Sequence, residues 1–172
     1  MSRTLLGLVG LLTLLLPAEA AAQRRGIRPV HPHDGFWLSF GAGGGWEEFD
    51  VTGGSFSLRM GGTPNPRFLF GGEVTGWLRE SGFSDISRVN VMATALLYPS
   101  RAGGWFLKGG FGFAEHSVDG FDRSGLGLSA GTGFDIRLGR NFYLTPTVDY
   151  LAQFFDENTS EILLVTLGLT WH

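Results

Sequence analysis

At 172 residues, with 17% charged and 13% aromatic side chains, the chain has the length of one domain and less charge than the roughly 25% of a typical soluble one. The absence of cysteine excludes a disulfide framework and a thiolate metal site. A net charge of −3 without a dense basic patch argues against a nucleic-acid partner.

The first element is a leader. MSRTLLGLVGLLTLLLPAEAAAQ sets Arg3 ahead of an apolar core from Leu5 to Leu16, and small residues then fit A-x-A at Ala18/Ala20 or Ala20/Ala22. That core is too short to span the roughly 30 Å of a bilayer interior as a helix. Residues 1–22 therefore read as a cleaved secretory signal peptide. Residues 23–34 are polar and proline-containing and read as a periplasmic tether, leaving 35–172 as the folded domain.

From Phe36 onward apolar residues alternate with period two, the signature of strands. Eight strands are predicted, over 36–44, 55–61, 67–78, 88–98, 105–114, 126–137, 142–151 and 162–171. Most approach the roughly 9–11 residues that a tilted strand needs to cross a bilayer. The connections GTPNP, PSRAGG and LGRN are turn-like. The other four, WEEFDVTGG, RESGFSDIS, EHSVDGFDRS and QFFDENTSE, are longer and acidic, and read as external loops. Short turns alternating with longer loops predict an all-β fold, an eight-stranded antiparallel up-and-down transmembrane β-barrel. Pro146 lacks an N–H and predicts a bulge or break in the seventh strand.

One phase of the alternation holds no charge in any strand; it runs from Phe36, Leu38 and Phe40 to Leu167, Leu169 and Trp171. A basic residue on the lipid face at mid-membrane costs about 2–4 kcal/mol, so an uncharged phase is what lipid contact requires. The other phase reads as Gly, Ser and Thr with sparse charges: Arg59, Glu73, Arg88, Lys108, Asp135, Arg137 and Asp149. Those charges nearly cancel, as suits a polar network in a lumen just wide enough for side chains to fill. Phe36, Phe68, Trp105, Phe142 and Trp171 are expected to form a periplasmic aromatic girdle, with Trp46, Phe113 and Tyr150 at the other rim. The last strand, EILLVTLGLTWH, is expected to pair with the first, around FWLSFGAG, because an open edge in lipid leaves backbone groups unsatisfied.

With WFLKGGFGFA, GLSAGTGFDIRLGRNFYLTPTVDYL and the terminal VTLGLTWH, the sequence resembles the small eight-stranded outer-membrane barrels of Gram-negative bacteria, the OmpA/OmpX-like family. The likeness runs from about Phe36 to His172 and rests on patterns of glycine and alternation. It implies a structural, adhesive or host-interacting surface protein of the outer membrane, in contact with membrane lipid and lipopolysaccharide. It also implies recognition by the barrel-insertion machinery through an aromatic near the end of the last strand. Trp171 would be that residue, although His172 follows it where the family usually ends on the aromatic.

Catalytic signals are weak. Glu115, His116 and Ser117 are neighbours on an extended segment, where alternate residues point to opposite sides and do not converge. His31, His33 and Asp34 have metal-like spacing but no further ligands, and a tether is the simpler reading. The acids of the four external connections (Glu47, Glu48, Asp50, Glu80, Asp85, Glu115, Asp119, Asp122, Asp156, Glu157 and Glu161) could hold divalent cations, although hydrated loop tips are the simpler reading. The clusters GAGGG and GLGLSAGTG lack the lysine and the strand-to-helix context of a phosphate loop. No catalytic residue, metal or cofactor is expected. The reading is a non-enzymatic outer-membrane barrel with a surface partner left unspecified. Its rivals are a narrow channel or conduit for small molecules, a lipid A-modifying enzyme, and a secreted lipocalin-like barrel.

Overall fold

The computed structural model describes residues 35–48, 51–81, 84–100, 103–118, 121–156 and 158–172. The signal peptide at 1–22 and the tether at 23–34, with His31, His33 and Asp34, lie outside the described residues. The strands are β1 (Gly35–Glu47), β2 (Val51–Asn65), β3 (Phe68–Ser81), β4 (Ser84–Leu97), β5 (Trp105–Val118), β6 (Phe121–Phe134), β7 (Ile136–Arg137), β8 (Phe142–Phe154) and β9 (Thr159–Trp171). Each is antiparallel to its neighbours; β6 and β7 together make one wall strand, both pairing with β8. The sheet closes where β1 meets β9, with Leu38 opposite Trp171 and Glu47 opposite Ile162. The result is a closed, up-and-down barrel of eight wall strands. The terminal apolar strand is thus a seam with no open edge.

The strands outrun the sequence reading, mostly at one end. The four acidic connections are mostly paired hairpin: β1 continues to Glu47, β3 to Ser81, β5 to Val118 and β8 to Phe154. β2, expected over 55–61, runs from Val51 to Asn65. Apolar alternation reports the solvent that a strand faces, whereas the antiparallel ladder depends on backbone pairing and continues into water.

Pro146 causes no break in its own strand. It sits in the continuous β8–β9 ladder opposite Leu167. The interruption falls on the neighbouring strand, between Phe134 and Ile136, beside the proline's missing N–H. On its other side the register is kept: the Asp135 N–H donates to the Gly104 carbonyl at 2.9 Å, one rung beyond Trp105 opposite Phe134.

The apolar phase faces outward. Phe40, Val91, Phe111, Phe113, Leu126 and Leu167 are each more than half exposed, as a lipid-contacting wall requires. Outward charge begins above this wall at Glu48, Glu115 and Glu161, all exposed. From Leu163 to Trp171, nine residues, a strand tilted by about 40° covers roughly 20–25 Å, close to the ~25 Å apolar band of such barrels.

The inward phase differs from the expected Gly, Ser and Thr lining. It also carries large apolar side chains in two clusters: Trp37, Leu69, Leu96, Tyr98 and Phe106 toward one end, and Trp77, Met92, Leu151, Ile162 and Leu164 toward the other. Glycines on facing strands make the room. A Cβ added at Gly53 would lie 2.6 Å from the Trp77 ring. The Trp77 indole donates to the Gly45 carbonyl at 3.2 Å. Inward glycine here means that a large neighbour fills the space, not that the lumen is empty.

Candidate functional site

The inward polar residues form three groups along the lumen. Arg59 on β2 stands opposite Glu73 on β3. Lys108 on β5 reaches both Glu73, at 2.6 Å, and Asp149 on β8, at 2.9 Å. All three side chains of that ion cluster are at most 3% exposed. Thr75 donates to the same Glu73 oxygen at 3.0 Å. A buried ammonium between two carboxylates, with a guanidinium opposite one of them, balances two charges of each sign; such balance is the condition for leaving ions out of water.

Toward the hairpin end, Arg88 is bonded to Glu47. Ser160 donates to the same carboxylate at 3.0 Å across the β1–β9 seam. Arg88 also lies 3.4 Å from Gln153, whose amide donates to Asn90 at 3.1 Å. Glu47, read from sequence as a loop acid, is therefore an inward ion-pair partner, buried at 9% exposure. Above it, burial and then the charge of Arg88 hold the His116 imidazole below its ordinary pKa. His116 meets the Phe155 ring edge-on at 6.0 Å, and Glu115 points outward, so the two do not converge.

At the other end, Asp135 is 2% exposed and accepts from Tyr98 and from Thr145, each at 2.7 Å. Thr145 meets Thr170 at 2.8 Å, and Thr170 meets Ser39 at 2.9 Å. This chain of bonds runs from Asp135 through β8 and β9 to β1 and crosses the seam from inside. His172 approaches Asp135 at 3.9 Å and packs edge-on against Tyr143.

Arg137 is a correction. It shares the inward phase, but β7 ends with it, and its guanidinium turns to the carbonyls of Gly139, at 2.7 Å, and Arg140, at 3.3 Å. It braces a turn and stands apart from the lumen network. Alternation in sequence carries on past the last ladder pair, where facing is set by the turn.

The five aromatics expected at one rim all lie at or next to strand ends on the same end of the barrel. Phe36 and Trp171 lie 6.3 Å apart across the seam, and Phe142 is the register partner of Trp171. Trp105 donates to Thr132 at 2.7 Å. Phe68 is half-buried. Tyr98, Gln153 and Trp77 carry no motif in the sequence; the inward phase of Gln153 and Trp77 is the available signal.

No family model and no curated protein matches the chain. Solved structures do. Neisserial surface protein A superposes with a TM-score of 0.66 at 16% identity, covering 79% of this chain and 96% of that one. The attachment invasion locus protein Ail of Yersinia pestis gives 0.56 at 14% identity, covering 83% and 100%. The N-terminal β-barrel domain of Pseudomonas aeruginosa OprF gives 0.55 at 12%, covering 78% and 97%. The fold is that of the small eight-stranded outer-membrane β-barrels.

In this barrel, glycine inside the wall is a packing requirement. A Cβ at Gly131 would collide with the Asp149 carboxylate. Gly131→Val is expected to push Asp149 away from Lys108 and lower stability by about 1–3 kcal/mol, read as an earlier urea-unfolding midpoint of the refolded protein.

Proposed function

We propose that the chain is an integral protein of the bacterial outer membrane, exported through a cleaved leader, that acts as a structural or surface-contact element without catalysing a reaction. The carrying observation is the arrangement of its two faces. An uncharged apolar wall faces outward, while the lumen is occupied by two apolar clusters and three polar groups. The outward wall favours lipid over water and disfavours a lipocalin-like secreted barrel, which would carry its apolar residues inside. Fully buried Trp37, Trp77, Arg59, Tyr98 and Phe106 favour a closed lumen over a channel.

Contact with other molecules then falls to the paired hairpins above the wall. The names of two structural neighbours, a surface protein and an attachment invasion locus protein, support that assignment. The partners in this reading are membrane lipid, lipopolysaccharide and, during assembly, the barrel-insertion machinery meeting Trp171. Nucleic acid has no place in it, and neither a cofactor nor a metal is invoked.

Envelope fractionation with heat-modifiability on gels tests the location: the protein should require detergent and shift on heating, and release by buffer alone would refute the reading. In planar bilayers the refolded barrel is expected to be silent. Stepwise conductance would establish a channel instead.

A further inference from the structure

The two rims of the barrel differ in charge, and the difference follows the connections. The three connections at the aromatic-girdle end, 66–67, 98–104 and 138–141, contain no Asp or Glu. Arg67 and Arg140 are exposed there, and Arg137 lies beside them in sequence, braced by backbone carbonyls. Among the described residues at this end, the one carboxylate side chain, Asp135, is buried and hydrogen-bonded. At the opposite rim the outward-facing Glu48, Glu115 and Glu161 are exposed. The acid-free turns thus carry exposed arginine, while the exposed acids named here stand at the other rim.

The arginines border the apolar wall. Arg67 directly precedes Phe68, and Arg140 lies between Leu138, 60% exposed, and Phe142, 55% exposed. These apolar side chains continue the lipid-facing wall to its lower border, so the turns carrying the arginines fall at headgroup depth. Arginine presents a planar fork of donors that matches phosphate oxygens.

We propose that this rim binds the phosphate headgroups of anionic phospholipid in the periplasmic leaflet, with Arg67 and Arg140 as the contacting residues and Arg137 adding charge behind Arg140. The inference rests on the membrane reading above and adds to it a leaflet, a lipid class and the residues that select it. Two features support this lipid over a periplasmic protein: the charge complementarity, and the continuity of the arginine turns with the apolar wall.

The test uses the full mature chain refolded into phosphatidylcholine vesicles containing spin-labelled phosphatidylglycerol or spin-labelled phosphatidylcholine as the probe. Heat-modifiability is checked first in both. Failure to insert in either refutes the membrane reading and, with it, this inference. Given insertion, the native barrel is expected to hold phosphatidylglycerol in preference to phosphatidylcholine. The preference should fall about fivefold for each arginine removed in Arg67→Gln and Arg140→Gln, the equivalent of ~1 kcal/mol per charge near an anionic surface. It should also collapse at 1 M salt, where the Debye length is about 3 Å. Equal association of the two lipids with an inserted native barrel overturns the inference and leaves the membrane reading standing. A preference unchanged in the double variant overturns it too, because the selecting charge would then lie elsewhere.

Discussion

Lys108→Met is expected to lower the unfolding free energy of the refolded barrel by about 3–5 kcal/mol, the cost of leaving buried charge without its partner. One ammonium holds two carboxylates, Glu73 at 2.6 Å and Asp149 at 2.9 Å, and it is 1% exposed. Methionine fills similar volume, so packing changes little while the charge balance inside the lumen moves by one unit. Arg59 stands opposite Glu73 and can compensate that carboxylate, but Asp149 is then left alone. Adding Asp149→Asn should therefore restore most of the loss, because Arg59 and Glu73 remain as a balanced pair. Urea titration followed by gel shift measures all three proteins. If Lys108→Met unfolds where the native barrel does, the ion cluster is not what closes the middle of the lumen. If the double variant is no better than the single, the penalty comes from shape and not from charge.

How much of this was legible in the sequence depends on what each pattern reports. Period-two alternation reports which side of a wall a residue faces, and it placed Phe40, Phe111 and Leu167 on the outer side and Arg59, Glu73, Lys108 and Asp149 on the inner side without needing any contact. The seam was also legible, since an apolar last strand in lipid must find a partner, and Leu38 opposite Trp171 is that partner. The pairings inside the lumen were not. Arg88 and Glu47 are 41 residues apart and meet only because the wall curves around to bring β4 and β1 across from each other. Trp77 was hidden for a related reason. Its space comes from Gly45 and Gly53 on other strands, and a glycine in sequence gives no hint of what will occupy the volume it leaves. The hairpins read as loops in the sequence because their residues lose apolar alternation above the apolar wall, although the ladder from Glu115 to Val118 against Phe121 to Ser124 is continuous. Pro146 was read correctly as a missing donor but assigned to the wrong strand, since the lost bond is felt by whichever neighbour it would have joined.

A charge on the outer wall is the sharper probe of the solvent it meets. Leu167 lies at the middle of the nine residues from Leu163 to Trp171 and is 55% exposed, opposite Ala42 on β1 and Pro146 on β8. Leu167→Arg is expected to cost about 2–4 kcal/mol, the price of a guanidinium at the bilayer midplane. Leu138→Arg, at the lower border and 60% exposed, should cost about 0–1 kcal/mol, because there the side chain reaches the headgroups. Both substitutions exchange an exposed leucine for the same residue, so burial within the protein cancels and depth alone separates them. Unfolding free energies in vesicles, compared with those in a short-chain detergent micelle, give the measurement. The gap between the two variants should shrink in the micelle, whose apolar layer is thin and deformable. Equal costs for Leu167→Arg and Leu138→Arg in vesicles would mean that the wall does not contact acyl chains at its middle. In that case the exposed apolar surface would have to be covered by protein, and the closed strand order of the barrel leaves no strand among the described residues to cover it.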